Sequence, residues 1–153
     1  MSNILTIKTV NITPLRVLIT TLNDILFKTN ITFTNEGINI RNVDTSHTVL
    51  INMVLEAKEF EVYECTKPKI VIGVNLFNLR NLISLIDKNN YDTITIYIED
   101  EDYSKGMVSY LGFKFENSIT QLSKIQKFCL IEPDEEKLEQ EIENVMENKE
   151  EIS

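Results

Sequence analysis

The sequence is poor in the residues that build metal and nucleotide sites. It has two cysteines, one histidine, four glycines and no tryptophan among its 153 residues. Cys65 and Cys129 lie far apart and form no Cys-x-x-Cys motif. A structural zinc site therefore lacks ligands, and two buried, reduced thiols in a reducing compartment are expected. So few glycines also argue against a glycine-rich loop that cradles phosphates, and we expect neither a metal nor a cofactor.

Membrane-directed segments are also lacking. No apolar run approaches the roughly 20 residues of a membrane-spanning helix, and residues 1–10 lack the charged-then-apolar order of a signal peptide. The protein is therefore expected to stay on the side of the membrane where it is made and to have no membrane partner. A single alanine against 21 isoleucines and 16 asparagines indicates an A+T-rich coding genome, as in many large DNA viruses and some protists.

Acidic charge is concentrated at the end of the chain. The formal net charge is −9, and residues 132–153 hold ten acidic residues against two lysines. The preceding 131 residues hold 14 acidic and 13 basic groups. Because this body is nearly neutral, the acidic composition does not exclude a nucleic-acid partner. The acidic segment carries a thin apolar stripe of Leu138, Ile142, Val145 and Met146.

Apolar spacing predicts two amphipathic helices. In the first, Thr13 is interpreted as the N-cap and Pro14 as the first helical residue. In the second, Asn75 is expected to be the N-cap. The apolar residues recur every three or four positions, as one face of a helix requires. They are Leu15, Leu18, Ile19, Leu22 and Leu26 in the first helix, and Leu76, Leu79, Leu82, Ile83 and Ile86 in the second.

Alternating apolar and polar residues predict antiparallel strands around these helices. The strands cover residues 4–12, a hairpin that turns at 35–37, and residues 48–55, 60–63, 69–72, 93–99 and 107–116. The order predicts an α+β domain over residues 1–117, with two helices packed on antiparallel sheet. Residues 118–131 are interpreted as a connector that ends in a short strand, and residues 132–153 as an acidic tail that is helical or partly disordered.

Two polar clusters invite catalytic or metal-binding interpretations. Asp44, Ser46 and His47 are residue types of a hydrolase triad, but groups this close in sequence cannot readily reach triad geometry. Local hydrogen bonding in a turn is favoured for them, with His47 a packed pocket or turn residue. The carboxylates of residues 99–102 are dense enough for a divalent cation, yet a solvated loop tip is the simpler interpretation. We therefore expect no catalytic residues and no enzyme.

Residues 37–60 and the elements that follow them resemble the signature of the proliferating cell nuclear antigen family of DNA sliding clamps. In that pattern a glycine begins a strand, and an Asp-x-Ser-His turn, an alternating strand and a phenylalanine follow. The matching elements are Gly37, Asp44-Thr45-Ser46-His47, Thr48 to Leu55, Phe60, Tyr63-Glu64-Cys65 and Gly73-Val74-Asn75-Leu76. The similarity covers residues 4–100 well and 101–131 loosely.

The resemblance implies a ring of six similar domains, in which helices line a channel around DNA and antiparallel sheets lie outside. Such a channel needs to hold phosphates only loosely and without reading bases. The DNA-facing residues implied here are Arg16, Asn23, Lys28, Arg80, Asn81, Ser84 and Lys88. Because the family commonly has lysines where this chain has Asn23, Asn81 and Ser84, the face is expected to be only weakly basic.

The resemblance also implies an apolar pocket in which partner proteins dock a short peptide. Its wall on the first domain would be Val43, His47 and Leu50. Its wall on the connector would include Leu122 and Ile125, in a stretch similar to the family's Gln-Leu-Gly-Ile segment. The implied partners are double-stranded DNA, DNA polymerase and other proteins that carry clamp-binding peptides.

The implied function is that of a DNA sliding clamp, a polymerase processivity factor in replication and repair. It would act in the nucleus, or at a cytoplasmic replication site if the gene is viral. Ring closure requires six copies of the chain or a second clamp chain, and an open sheet edge near residues 107–116 is expected to meet a neighbour. The family's subunits have two domains, so a second domain is lost, is encoded elsewhere or is missing from a truncated product. The alternative is an adaptor that binds peptides, or caps a clamp, without a ring of its own.

Overall fold

The computed structural model describes residues 2–43, 49–89, 91–133 and 135–152, which form three helices and two main antiparallel sheets. The helices are α1 (Ile12–Ile25), α2 (Leu76–Asn89) and α3 (Glu135–Ile152). The strands are β1 (Asn3–Thr9), β2 (Lys28–Thr34), β3 (Gly37–Val43), β4 (Leu50–Glu56), β5 (Val62–Cys65), β6 (Ile70–Asn75), β7 (Thr93–Glu99), β8 (Tyr103–Ser104), β9 (Met107–Val108), β10 (Tyr110–Glu116) and β11 (Ser123–Cys129). The predicted α+β class is confirmed.

The two main sheets divide the strands between them. The five-stranded sheet has the order β11-β10-β7-β1-β5, and the four-stranded sheet has the order β4-β3-β2-β6. The short strands β8 and β9 form a separate hairpin. The predicted hairpin at residues 35–37 is confirmed as the β2–β3 turn, in which Thr34 lies opposite Gly37. Gly37 has φ of 148°, and a Cβ there would meet the carbonyl oxygen of Leu55, so the position requires glycine.

One apolar core joins both sheets to α1 and α2. Side chains alternate between the two faces of each strand, and in β2, β3 and β6 one set of them faces this core. The helices contribute the stripes that their spacing predicts, including Ile19 and Leu22 of α1 and Leu79 and Ile83 of α2. The two helices also pack against each other, so their solvent-facing sides form one surface.

The helix starts agree with the sequence at α2 and differ at α1. The backbone N–H of Asn78 donates to Oδ1 of Asn75 over 3.0 Å, which confirms Asn75 as the N-cap of α2. For α1, Thr13 was the predicted N-cap, whereas Asn11 occupies that place. Pro14 is then the third helical residue, where its missing N–H has no partner to lose because the first four N–H groups of a helix make no bond within it.

The largest departure from the sequence-based expectation lies after β10. Residues 118–131 were interpreted as a connector that ends in a short strand, whereas the strand is long: Ser123–Cys129 form β11, which pairs with β10 over its whole length. Cys129, expected to be buried, is exposed at the end of β11. Consequently β10 lies between β7 and β11, and the open edge expected near residues 107–116 lies at β11 instead. The turn is built by Asn117, whose Oδ1 accepts from the backbone N–H groups of Ile119 and Thr120, and by Gln121, whose φ is 63°.

A hydrogen bond from Tyr63 ties the two sheets together. The Tyr63 hydroxyl, on β5, donates to the backbone carbonyl of Thr34, at the end of β2, over 2.6 Å. Burial, and then the nearby Cys65, raise the pKa of Tyr63 to about 12. Folding therefore favours the neutral phenol, and its contribution to stability is present below the unfolded pKa of about 10 and is lost as the pH rises through 12.

Tyr63→Phe is expected to lower the free energy of unfolding at pH 8 by about 1 kcal/mol, because it removes this hydrogen bond. The difference from the unmodified protein should shrink between pH 10 and 12, since phenylalanine cannot ionise. Urea titrations at several pH values measure both effects, with the exposed Tyr110→Phe as the control. A difference that stays constant over this pH range would contradict the buried, neutral phenol.

Candidate functional site

The solvent-facing surface of α1 and α2, called the helix face below, holds most of the predicted DNA-facing residues. Arg80, Asn81 and Ser84 are exposed on α2, and Lys28 is exposed at the start of β2. Arg16 and Asn23 are half-buried on α1. The structure therefore brings these six residues to the helix pair or its end, while the side chain of Lys88 lies outside the described part of the chain.

The centre of the helix face on α1 is less basic than its margin. The exposed positions there include Val17, Thr21 and Asp24, and the Thr21 hydroxyl donates to the carbonyl of Val17 over 2.8 Å. Val17 and Asp24 were absent from the predicted DNA-facing set. The helical spacing could have found them, since positions 17, 21 and 24 lie opposite the buried stripe. Among the described side chains, the helix face offers Arg16 and Arg80 as cations, with Lys28 at its end on β2 and Asp24 opposing them.

Val43 and Leu50 form an apolar patch, called the outer patch below, on the side of the four-stranded sheet that faces away from the core. On β3, Ile38 and Ile40 face the core, so Asn39, Arg41 and Val43 face outward. Leu50 lies directly opposite Val43 in the β3–β4 pairing. Val43 is nevertheless buried, because Ile142 and Val145 of α3 pack against it. The outward sheet surface is therefore covered at this point by the acidic helix.

Farther along the sheet, α3 makes polar contacts. Arg41 lies 3.6 Å from Glu139, and Lys69 lies 3.3 Å from Glu135. Between the helix and the sheet is an open cavity of about 860 Å³, lined mainly by polar side chains. Ion pairs as exposed as these contribute about 0–1 kcal/mol each, whereas burying Ile142 and Val145 contributes about 1.5–3 kcal/mol each. The apolar end therefore provides most of the attachment.

The structure divides the residues of the predicted partner pocket between different elements. Val43 and Leu50 come together, and His47 and the rest of the predicted 44–47 turn lie outside the described residues. Leu122 and Ile125 were placed on a connector wall beside them. They lie instead in the β10–β11 turn and in β11 of the five-stranded sheet, because the Asn117–Gln121 turn returns the chain along β10. The second wall of the outer patch is formed by α3.

A glycine and a backbone bridge carry the chain from β11 to α3. The N–H of Ile131 donates to the carbonyl of Gly73 on β6 over 3.0 Å. A Cβ at Gly73 would lie 2.5 Å from the carbonyl oxygen of Ile131, so any larger residue would push the crossing away. This bridge leads the chain from the five-stranded to the four-stranded sheet and brings α3 over the outward surface.

Each main sheet ends in a seven-residue strand with an open edge. Among the described residues, no strand pairs with the outer edge of β4 or of β11. Val54 is 60% exposed on β4, and Ile125 is 63% exposed on β11. On the inward side of β11, the buried Oε1 of Gln126 accepts no hydrogen bond from any described residue. An exposed β-branched residue and an unmatched acceptor at an edge are typical of a strand that meets a neighbour.

Neither a metal centre nor a membrane-spanning helix is found in the part of the chain that the structure describes. Within that part, no three His, Cys, Asp or Glu side chains are grouped to hold a metal ion. None of its helices is long and apolar enough to cross a membrane. The carboxylates of Glu99 and Asp102 are instead bound by Lys127, at 2.8 and 2.5 Å, which raises the pKa of that lysine.

Comparison with known proteins gives a consistent set of relatives. The family model for the N-terminal domain of proliferating cell nuclear antigen matches residues 4–137. A probable DNA polymerase sliding clamp of Acanthamoeba polyphaga mimivirus is 29% identical over 98 residues, 64% of this chain and 21% of that protein. The proliferating cell nuclear antigen of Dictyostelium discoideum is 30% identical over 88 residues, 58% of this chain and 33% of that protein.

A third relative extends the match. The proliferating cell nuclear antigen of Chaetomium thermophilum is 28% identical over 124 residues, which are 81% of this chain and 44% of that protein. The chain thus spans less than half the length of these curated relatives. The family model nevertheless covers most of the chain, from the first strand to the start of α3. By this match the chain belongs to the proliferating cell nuclear antigen family, within the region of the family's N-terminal domain.

Proposed function

We propose that this chain is a sliding-clamp domain. With other copies, or with a second clamp chain, it closes a ring around double-stranded DNA and tethers DNA polymerase during replication and repair, without catalysis of its own. The observation that carries the proposal is an exposed helix face together with the edges of β4 and β11, with which no described strand pairs, in a chain of this family. Relatives from a virus and from eukaryotes are named as a polymerase sliding clamp or as proliferating cell nuclear antigen.

The helix face suits loose contact with a moving duplex. The described cations of this face and its end, Arg16, Arg80 and Lys28, can attract phosphates, while neutral side chains such as Asn81 add weak hydrogen bonding without base readout. Each phosphate contact lowers the logarithm of affinity by about 0.9 per decade of salt. With so few contacts per domain, electrostatic binding alone is weak at physiological salt. Retention on DNA must then come from encirclement.

The open edges supply the means of closing the ring. If β11 of one copy pairs with β4 of the next, the two sheets become continuous, and Ile125 and Val54 are brought onto the same outward surface. The neighbour can also offer a donor to Gln126, whose buried acceptor would otherwise cost about 1–3 kcal/mol. Contact between two different edges is head-to-tail, and such contacts close into rings when the rotation between copies allows it.

The solution mass of the chain tests this assembly. Light scattering over a range of concentrations should show a species approaching six times 17.7 kDa, about 106 kDa. Ile125→Glu should shift the mass toward the monomer, because it removes about 1.5–3 kcal/mol of apolar burial per contact, roughly tenfold or more in affinity. Ile119→Glu is the matched control, since Ile119 is more exposed and lies outside the strand. A monomer at all concentrations would contradict closure by copies of this chain alone.

We further propose that the outer patch of Val43 and Leu50, with His47 beside it in sequence, receives the peptides of partner proteins. The patch is apolar, faces outward and lies away from the helix face, so a bound partner would not obstruct the channel. The site of action would be the nucleus, or a cytoplasmic replication site if the gene is viral.

A further inference from the structure

The outer patch is already occupied by the chain's own α3. Ile142, 1% exposed, and Val145, 4% exposed, are buried against Val43 and the partly buried Leu50. These four residues form a cluster separate from the main core. Since Val43 faces away from that core, its burial depends on α3 and not on the fold of the domain. The helix thus packs on the outside of a sheet whose own core is already complete without it.

The rest of the surface under α3 is complementary in charge to the acidic helix. Glu135, Glu139 and Glu143 recur every four residues and line the cavity beneath the helix. Lys69 and Arg41 lie on the opposite wall of the cavity, and each is paired with one of these carboxylates. Neutral Asn and Thr side chains also line that wall. A cationic polar region beside a small apolar patch fits an acidic amphipathic helix with apolar residues three positions apart.

We propose that α3 acts as an internal ligand of the outer patch, so that α3 and a partner peptide exclude each other. The proposal rests on the proposed peptide-binding function of the patch. Partner binding then requires that α3 be displaced, and an incoming segment that is itself an acidic amphipathic helix can use the same contacts. The short crossing from the Gly73–Ile131 bridge keeps α3 near the patch even when it is detached.

Two features make α3 displaceable. Among its described side chains, the apolar contact uses Ile142 and Val145 alone, and its ion pairs are about half exposed, so salt screens them. Attachment through the crossing nevertheless gives α3 an effective concentration of about millimolar. A free peptide must overcome that concentration in the unmodified protein, which makes α3 a strong competitor despite its small contact.

The test uses the full chain and a labelled synthetic peptide of residues 135–152 as the probe. In Ile142→Glu, the chain's own helix loses its central apolar contact, and the probe should bind at least about tenfold more tightly than to the unmodified protein. Met146→Glu is the matched control, because Met146 is half exposed on the same helix and the change in charge is the same. A probe that itself carries Ile142→Glu should not bind.

The outcomes separate this proposal from the clamp proposal. Equal probe binding to the unmodified protein, Ile142→Glu and Met146→Glu would overturn the internal-ligand proposal. Val145→Glu provides a second variant with the same expected result, and circular dichroism shows whether each variant is folded. Retention on circular DNA does not depend on the outer patch. If the protein is not retained on circular DNA but the probe binds Ile142→Glu more tightly, only the clamp proposal is contradicted. If the protein is retained but the probe binds all variants equally, only the internal-ligand proposal is contradicted.

Discussion

Phe113→Ala is expected to lower the free energy of unfolding by about 3–5 kcal/mol. Phe113 is 2% exposed at the centre of β10. Its ring is stacked on Phe115 with a centroid distance of 6.3 Å and meets the edge of Phe128 on β11 at 6.4 Å. The truncation would remove the buried ring and leave a cavity in a part of the core that rigid strands on both sides prevent from collapsing.

Urea unfolding at 25 °C measures this loss. A domain of this size has a total stability of about 5–15 kcal/mol, so the variant should unfold at a much lower urea concentration. Tyr110→Ala is the control, because Tyr110 is on the same strand and 42% exposed, and its cost should be within about 1 kcal/mol. If Phe113→Ala costs no more than this control, the packing of β11 against β10 and the helices is not as described.

Much of the fold could be predicted from local patterns. The stripes of α1 and α2 recur at helical spacing, and Asn75 is both a suitable N-cap residue and correctly placed before an apolar run. The β2–β3 hairpin was predictable because Gly37 follows two polar residues between alternating strands. In each case a signal a few residues long coincides with the way the segment buries its apolar side, so tertiary packing does not override it.

The full length of strand β11 and its pairing with β10 could not be recognised in the same way. An edge strand is buried on one face only, and the outward positions of β11 hold Ser123, Ile125 and Lys127, which mix polar, apolar and charged side chains. Its inward positions include the polar Gln126, which further interrupts the apolar alternation expected of a strand. The turn before it has no glycine, since Asn117 supplies the hydrogen bonds and Gln121 the left-handed backbone. The segment therefore resembles a loop until its pairing with β10 is known.

For the candidate sites, too, local patterns predict some features and not others. The cations of the helix face were predictable because helical spacing alone determines which residues are opposite the core. The partner of Val43 and Leu50 was not predictable. The apolar stripe of α3 indicated that Ile142 and Val145 bury against something, but amphipathicity does not specify which surface a helix covers. The surface that α3 covers is determined by the Gly73–Ile131 bridge. This bridge joins residues 58 positions apart, so no local pattern indicates it.

The proposed function predicts how salt affects retention on DNA. Under the proposed function, the domain would hold DNA weakly by contact and strongly by topology. Among the described side chains, the helix face and its end offer three cations, which leave little attraction once salt is raised, and Asp24 reduces it further. For about three phosphate contacts, raising the salt from about 0.05 to 0.3 M should weaken contact binding roughly a hundredfold. Any retention that survives this salt must come from a closed ring.

Retention on circular and linear DNA tests the central claim most directly. The chain is diluted until its copies dissociate and is then concentrated in the presence of nicked circular plasmid, so that rings can close around the DNA. After gel filtration at about 0.3 M salt, where contact binding is weak, at least about tenfold more protein should remain on the circle than on the same plasmid cut once. Cutting a loaded circle should release the protein. Equal retention on circular and linear DNA, or no release on cutting, would contradict encirclement and leave an adaptor that binds partners without a ring.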